Sequence, residues 1–415
     1  MNRQPGPWIR AKQIGCLVLL VAGLLGLWGC GSPSSASDEN QAGVPSQAAA
    51  GQDTEVQTAA EQDTAQTAGS LVYTDSMKTE YATQFAVDYY EGGYVMLTTK
   101  VDGAQYLVVP EDAQTPEGLD DAVTVLHRPL DHLYLVASAA MDLFRELDAI
   151  DTIRFSGQQE DGWYIEEARA AMEDGQMIYA GKYSMPDYEL IVSQGCDLAI
   201  ENTMITHAPE VIEKLAEFGI PALIDYSSYE THPLGRVEWI RFYGALLGRE
   251  DRADAAFAEQ TQILDRMTQD DTSTGQTVAF FYLTTNGTVN VRKTADYVPQ
   301  MIELAGGTYV FDDLGSDTDH KSSVNMTMEE FYATAKDADC LIYNSTIDGE
   351  LDSIDDLVEK SAMLRDFKAV KEGNVWCTTN DMYQHTMSAG AFIEDLHAIF
   401  SGDTAHEMTY IYPLQ

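Results

Sequence analysis

At 415 residues the chain is longer than one hydrophobic core usually serves, so two packed units with appendages are expected. Its 67 acidic and 24 basic residues leave a formal charge of -43 spread along the whole length, which excludes nucleic acid as a partner because phosphates need a basic face. Five scattered cysteines exclude a disulfide framework, and a dispersed acidic surface serves solubility and says little about a ligand.

The first thirty residues read as a secretion signal. Arg3, Arg10 and Lys12 precede an apolar run from Ile14 to Leu27, shorter than the roughly 18 to 20 residues of a spanning helix. Leu27-Trp28-Gly29-Cys30 closes the run, and the small residue before Cys30 suits cleavage there. The tetrad resembles the bacterial lipobox, whose cysteine is acylated, although Trp28 is bulkier than the residue usual at that place. Cys30 is therefore the expected lipidation site and mature N-terminus. Residues 31–70 are Ser, Ala, Gln, Thr, Asp and Gly with almost no large apolar side chain; they cannot bury a core and are expected to form a disordered tether.

From Tyr81 to Pro110 apolar residues alternate through Phe85, Val87, Tyr89, Tyr94, Met96, Tyr106 and Val108, with Glu91-Gly92-Gly93 and Asp102-Gly103 as turns, which predicts an antiparallel meander. From Val123 the texture becomes short apolar strands followed by helical patterns, implying βα units and parallel pairing. Val123 to Leu126 and Leu133 to Val136 are strands, and Ser138 opens a helix through Leu147.

A repeat follows. A helix from Tyr188 feeds Asp197-Leu198-Ala199-Ile200-Glu201-Asn202, and a helix from Phe331 to Ala338 feeds Asp339-Cys340-Leu341-Ile342-Tyr343-Asn344. Each unit continues into a second helix and strand, Ile220 to Ile224 and Asn374 to Cys377, so two lobes of like construction are implied. Asn202 and Asn344 fall at equivalent positions beyond the carboxyl ends of their strands, where open parallel sheets place ligand sites. Between the repeats, Val237 to Met267 carries apolar residues at helical spacing, including Trp239, Ile240, Phe242, Leu246, Phe257 and Leu264. Unbroken, it would run roughly 45 Å and cross from lobe to lobe, with Gly244 and Gly248 permitting a kink. Such a connection resists the wide hinge closure that paired flexible strands allow.

In this order and spacing the chain resembles the helical-backbone substrate-binding lipoproteins of ABC importers, the group for iron-siderophore, haem and cobalamin ligands. The resemblance runs from about Leu126 to the end and is carried by Leu133-Tyr134-Leu135-Val136-Ala137-Ser138, Asp187 to Ile200, Phe218-Gly219-Ile220-Pro221, Leu246 to Glu250, Met301 to Gly307, and Phe367 to Trp376. It implies an α/β fold of two Rossmann-like lobes joined by one long helix, to which the meander is extra. The expected organisation is a signal over 1–30, a tether over 31–70, an N-terminal lobe over 71–236, a linking helix over 237–268 and a C-terminal lobe over 269–415.

The loops after the strands then line the cleft. In the first lobe they offer Tyr183, Asn202, Met204, Tyr226, Tyr229, His232 and Arg236; in the second, Tyr282, Asn344, Tyr383 and His385. Recurrent tyrosine suits a metal chelate, since a flat apolar ring with a hydroxyl packs a macrocycle or catecholate and still hydrogen-bonds, and Arg236 could pair an anionic group. The ligand is expected to bridge lobes that move little, with no intrinsic cofactor and a monomeric protein. The resemblance further implies a permease partner met by one acidic residue on each lobe, here Glu210 and Glu329.

Three rival readings are weaker. A bare transition metal needs three or four converging ligands, and His127, His132, His207, His232, His320 and His385 lack paired spacing. An extracytoplasmic hydrolase lacks a Gly-X-Ser-X-Gly elbow, a His-Glu-X-X-His helix and a phosphate-cradling glycine loop; Glu201 and Glu230 could pair as acid and base, but nothing sets their separation. An adhesive surface domain predicts no pocket, whereas the Asn202 and Asn344 pairing predicts one.

Overall fold

The computed structural model describes residues 69–268, 273–314 and 322–415, which lie in one unit of the chain; the leader, Cys30 and the tether up to residue 68 fall outside the described residues. Five strands, Tyr73–Ser76, Phe85–Tyr90, Tyr94–Thr99, Gln105–Val109 and Val123–His127, hydrogen-bond in that order. The first three junctions are antiparallel and the last is parallel. Alternation puts Phe85, Val87, Leu97, Tyr106 and Val108 in the main core, while Tyr90, Met96, Leu107 and Val109 face the other way into a small cluster with Val123. Val123–His127, read above as the lobe's first parallel strand, therefore belongs to the meander's sheet, because the loop from Pro110 returns the chain to run parallel with Gln105–Val109.

The first lobe's sheet is wholly parallel, in the order Ala222–Asp225, Leu198–Asn202, Leu133–Leu135, Ile153–Ser156, Ile178–Tyr179. In the second lobe Thr277–Leu283, Cys340–Tyr343 and Val375–Thr378 are parallel, and Val289–Arg292, Ser323–Met326 and Ile411–Pro413 add antiparallel edges. The repeat has a physical basis at both strand ends. Asp197 Oδ2 accepts the backbone N–H groups of Asp131 and His132 at 3.1 and 2.9 Å, and Asp339 Oδ2 accepts the backbone N–H and hydroxyl of Thr277 at 2.8 and 2.7 Å. Each aspartate thus staples the start of its strand to a neighbouring strand. Burial opposes ionisation of Asp339, but hydrogen bonds from Lys368 and Thr277 win and hold its carboxyl at about 2.

The span expected to be one helix is two, Pro233–Leu247 and Glu250–Thr268. Gly248 ends the first at φ 73, a left-handed conformation that an L side chain resists, and the chain doubles back. Gly244 lets the two helices touch, since a Cβ there would lie 2.6 Å from that of Ala253, and Arg241 pairs with Asp254 at 2.7 Å across the same seam. One long linking helix is therefore corrected to a helical hairpin. Its first arm is the hub of the molecule: Phe85 of the meander meets Trp239 and Phe242 edge-on at 5.2 and 5.4 Å, and Phe144 of the first lobe meets Tyr243 at 5.1 Å. Glu238 accepts the backbone N–H groups of Glu80, Tyr81 and Ala82, and Glu230 accepts those of Thr83 and Gln84. The meander is stapled into the core rather than added at its edge.

Candidate functional site

The two lobes meet where the chain leaves Val375–Thr378 and turns toward the helix Ala389–Ser401. Here Thr386 Oγ1 donates to the Ala139 carbonyl at 2.8 Å, and the Met387 N–H donates to Asp142 Oδ2 at 2.7 Å. Burial pushes the Asp142 carboxyl up, against the pull of Arg145 at 2.7 Å and of the Met387 N–H. The second lobe's turn is thereby clamped on the helical start of the first lobe.

Beside this junction is a cavity of about 30 Å³, lined by Arg236 from the first turn of the linking hairpin, by Tyr297 and Met301 from the second lobe's helix Tyr297–Leu304, and by Tyr383, His385 and Tyr410 among others. That volume has room for a small polar group or a water molecule and not for a whole chelate. Arg236 is 8% exposed, its guanidinium lies 3.9 Å over the Tyr297 ring, and its Nε has no hydrogen-bond partner among the described residues. The carboxylate that acts on it electrostatically, Asp296, also faces Arg292 at 3.7 Å and caps the Val298 N–H at 3.0 Å. Among the described residues two guanidinium groups, Arg236 and Arg292, thus act on the one carboxylate of Asp296. His385 faces Asp381 at 3.4 Å; burial opposes ionisation of Asp381, but hydrogen bonds from His385 and Thr379 hold its carboxyl below the usual range.

Of the residues singled out in the sequence, Arg236, Tyr383 and His385 come together at this cavity. Others are engaged elsewhere. Asn202 Oδ1 caps the Met204 N–H at 2.9 Å and Asn344 Oδ1 caps the Thr346 N–H at 3.3 Å, with Asn344 only 2% exposed, so capping accounts for their equivalence. His232 Nδ1 accepts the Leu234 N–H at 3.1 Å and its ring stacks on Tyr81 at 4.5 Å; burial lowers its pKa, which suits a neutral cap. Tyr226 is buried with its hydroxyl on Asp102 of the meander at 3.1 Å, and Tyr229 is half-buried with its ring 5.5 Å from that of Tyr226. Tyr183 and Tyr282 are half-buried and Met204 is exposed. None of these eight lines the cavity.

Glu201 and Glu230 form no acid and base pair. Glu230 is consumed by Thr83, Gln84 and the Trp239 indole at 3.0 Å, while Glu201 is buried in the first lobe with both oxygens unpartnered among the described residues. The group of Asp131, His132 and Asp197 comes within coordination reach, yet it lies at the amino ends of the strands, away from the cavity, where Asp197 is already the strand staple. Glu210 and Glu329 are exposed in the first turns of Pro209–Glu217 and Met328–Ala335. Glu329 does not cap its helix, because Thr327 and Glu330 form the capping box. Tyr297 was missed from sequence, although the Asp296-Tyr297 pair at a helix start was a readable capping signal; Tyr164, half exposed near Tyr383, had no such signal.

Residues 159–382, more than half of the chain, match the family described as periplasmic binding protein. An uncharacterized lipoprotein of Methanocaldococcus jannaschii is 24% identical over 297 residues, 68% of each chain. A periplasmic binding protein from Veillonella parvula superposes with a TM-score of 0.54 at 16% identity, over 80% of this chain and 99% of that one. A periplasmic heme binding protein from Pseudomonas aeruginosa does so with a TM-score of 0.53 at 14% identity, over 69% and 98%. The corresponding values for an ABC-type Fe3+-hydroxamate transport system protein from Saccharomonospora viridis are 0.52 and 21%, over 66% and 93%. At these identities the structural likeness is one of fold.

Proposed function

We propose, since the chain belongs to the periplasmic binding protein family, that it is an extracytoplasmic lipoprotein which captures a metal chelate bearing an anionic group and delivers it to an ABC importer. As a member of that family it is a solute-binding protein and not an enzyme. The observation that carries the ligand reading is the buried Arg236 guanidinium at the junction of the lobes, whose Nε has no hydrogen-bond partner among the described residues. An anionic group of an iron-siderophore, a haem or a cobamide enters beside Arg236, and the body of the chelate rests against Tyr297 and Tyr383. The heme and Fe3+-hydroxamate ligands named for two structural neighbours support this class. Anchoring through Cys30 is supported by the lipobox-like tetrad and by the lipoprotein names of the relatives.

Fluorescence titration of the purified protein with haemin, a ferric catecholate, a ferric hydroxamate and cobalamin tests the ligand. A charge-assisted hydrogen bond contributes about 1.5 to 3 kcal/mol, so Arg236→Ala should weaken the bound chelate by roughly 10- to 100-fold. Unchanged affinity for every chelate that binds would move the ligand elsewhere.

Delivery is assigned to Glu210 and Glu329. Rim charges act mainly on association, so Glu210→Ala with Glu329→Ala should slow chelate uptake by cells at least about threefold and leave affinity intact. Thr327→Ala, which removes the cap beside Glu329, should instead lower stability by about 1 kcal/mol with little effect on uptake. Normal uptake by the double mutant at normal abundance contradicts the assignment.

A further inference from the structure

We infer that Gln384 is a positioning residue that ties the lobes together and turns the Tyr383 hydroxyl into a hydrogen-bond donor for the ligand. Gln384 is fully buried in the turn Met382–Gln384 of the second lobe. Its Oε1 accepts the Tyr164 N–H of the first lobe at 2.9 Å, and its Nε2 donates to the Gly162 carbonyl at 2.7 Å and to the Tyr383 hydroxyl at 3.0 Å. One amide thus spans the two lobes and reaches a tyrosine of the cavity.

The polarity of the partners dictates the orientation. A reversed amide would set its NH2 against the Tyr164 N–H and its oxygen against the Gly162 carbonyl, losing both bonds. With the amide held this way, both Nε2 protons are spent, one on Gly162 and one on Tyr383. The Tyr383 oxygen is therefore an acceptor toward Gln384, and its own proton is left to point at the cavity. That proton meets an acceptor atom, which is the same chemistry that Arg236 selects.

The first-lobe partners are held in place. Trp163, between Gly162 and Tyr164, is buried and its indole donates to Ser156 Oγ at 3.0 Å, at the end of the strand Ile153–Ser156. The loop presents one carbonyl and one N–H across the junction, and Gln384 reads both. Separation of the lobes breaks these two bonds and frees the amide to rotate, so Tyr383 keeps its orientation only in the joined state. This inference rests on the cavity being the ligand site for its Tyr383 half, and on geometry alone for the inter-lobe half.

Two measurements separate those halves. In the ligand-free protein, Gln384→Leu should speed hydrogen exchange at the Tyr164 amide at least tenfold while leaving the core segment around Trp239 unchanged; unaltered exchange at Tyr164 overturns the tie. In a double-mutant cycle read by titration with haemin, a ferric catecholate and a ferric hydroxamate, Gln384→Glu makes Tyr383 donate to the new carboxylate instead. For a chelate sensitive to Arg236→Ala, Gln384→Glu and Tyr383→Phe should each weaken binding about tenfold, and the double mutant no further than either alone. Additive losses overturn the positioning role. If no chelate responds to Arg236→Ala, the ligand reading of the cavity fails together with the Tyr383 half, while the exchange result still decides the tie.

Discussion

Glu238→Ala is expected to destabilise the protein by about 3 to 5 kcal/mol, because it leaves buried donors without their acceptor. The Glu238 carboxylate is fully buried and accepts the N–H groups of Glu80, Tyr81 and Ala82 at distances from 2.8 to 3.1 Å, as well as Arg241 Nη1 at 3.0 Å. These donors lie on the segment that leads into the meander, so the loss should be local first. Hydrogen exchange over residues 80–84 should accelerate before global unfolding, and urea melts should report the full difference. A loss below about 1 kcal/mol would mean that water replaces the carboxylate and that the staple is dispensable.

The second expected result concerns pH. Glu201 lies two residues beyond Ala199 on the same face of its strand, toward the layer that Tyr134, Ile191, Val211 and Leu215 fill. Burial there pushes its carboxyl up to about 8. The native state therefore holds a proton that the unfolded chain has released, so the stabilising contribution is complete below the unfolded value of about 4.3 and is lost as pH rises through about 8. Between pH 6 and 8 this loss amounts to roughly 2 to 3 kcal/mol. Glu201→Gln, which cannot ionise, should remove that slope in urea melts across the interval. Parallel slopes for the two proteins would show that water reaches Glu201 in the native state.

Much of the framework was legible because it is written in local spacing. The alternation around Phe85, Val87, Leu97 and Val108 predicted a meander, and its period of two survives as a sheet with two covered faces. The helix-strand repeat was visible because Asn202 and Asn344 cap the turns that follow their strands through bonds only two residues long, whereas the Asp197 and Asp339 staples reach strands more than 60 residues away. Two asparagines at equivalent strand ends read as ligand groups, and the structure gives each a capping bond to an N–H two residues on, which by itself produces the same pattern.

The sequence by itself determined two α/β lobes, the apolar stripe of the connection between them, and the composition of the strand-end loops. Only the tertiary structure decided that this connection folds back at Gly248, since a glycine can weaken a helix or admit a neighbouring one, and the presence of Ala253 against Gly244 makes the choice. It likewise decided which polar residues serve the site. Arg236 and Glu238 stand two residues apart on one helix, yet among the described residues the first is left with an unpartnered Nε and the second is consumed by three backbone N–H groups from residues more than 150 positions away. Whether a buried charge is paired depends on which distant segment packs against it, and side-chain spacing along one element carries no record of that.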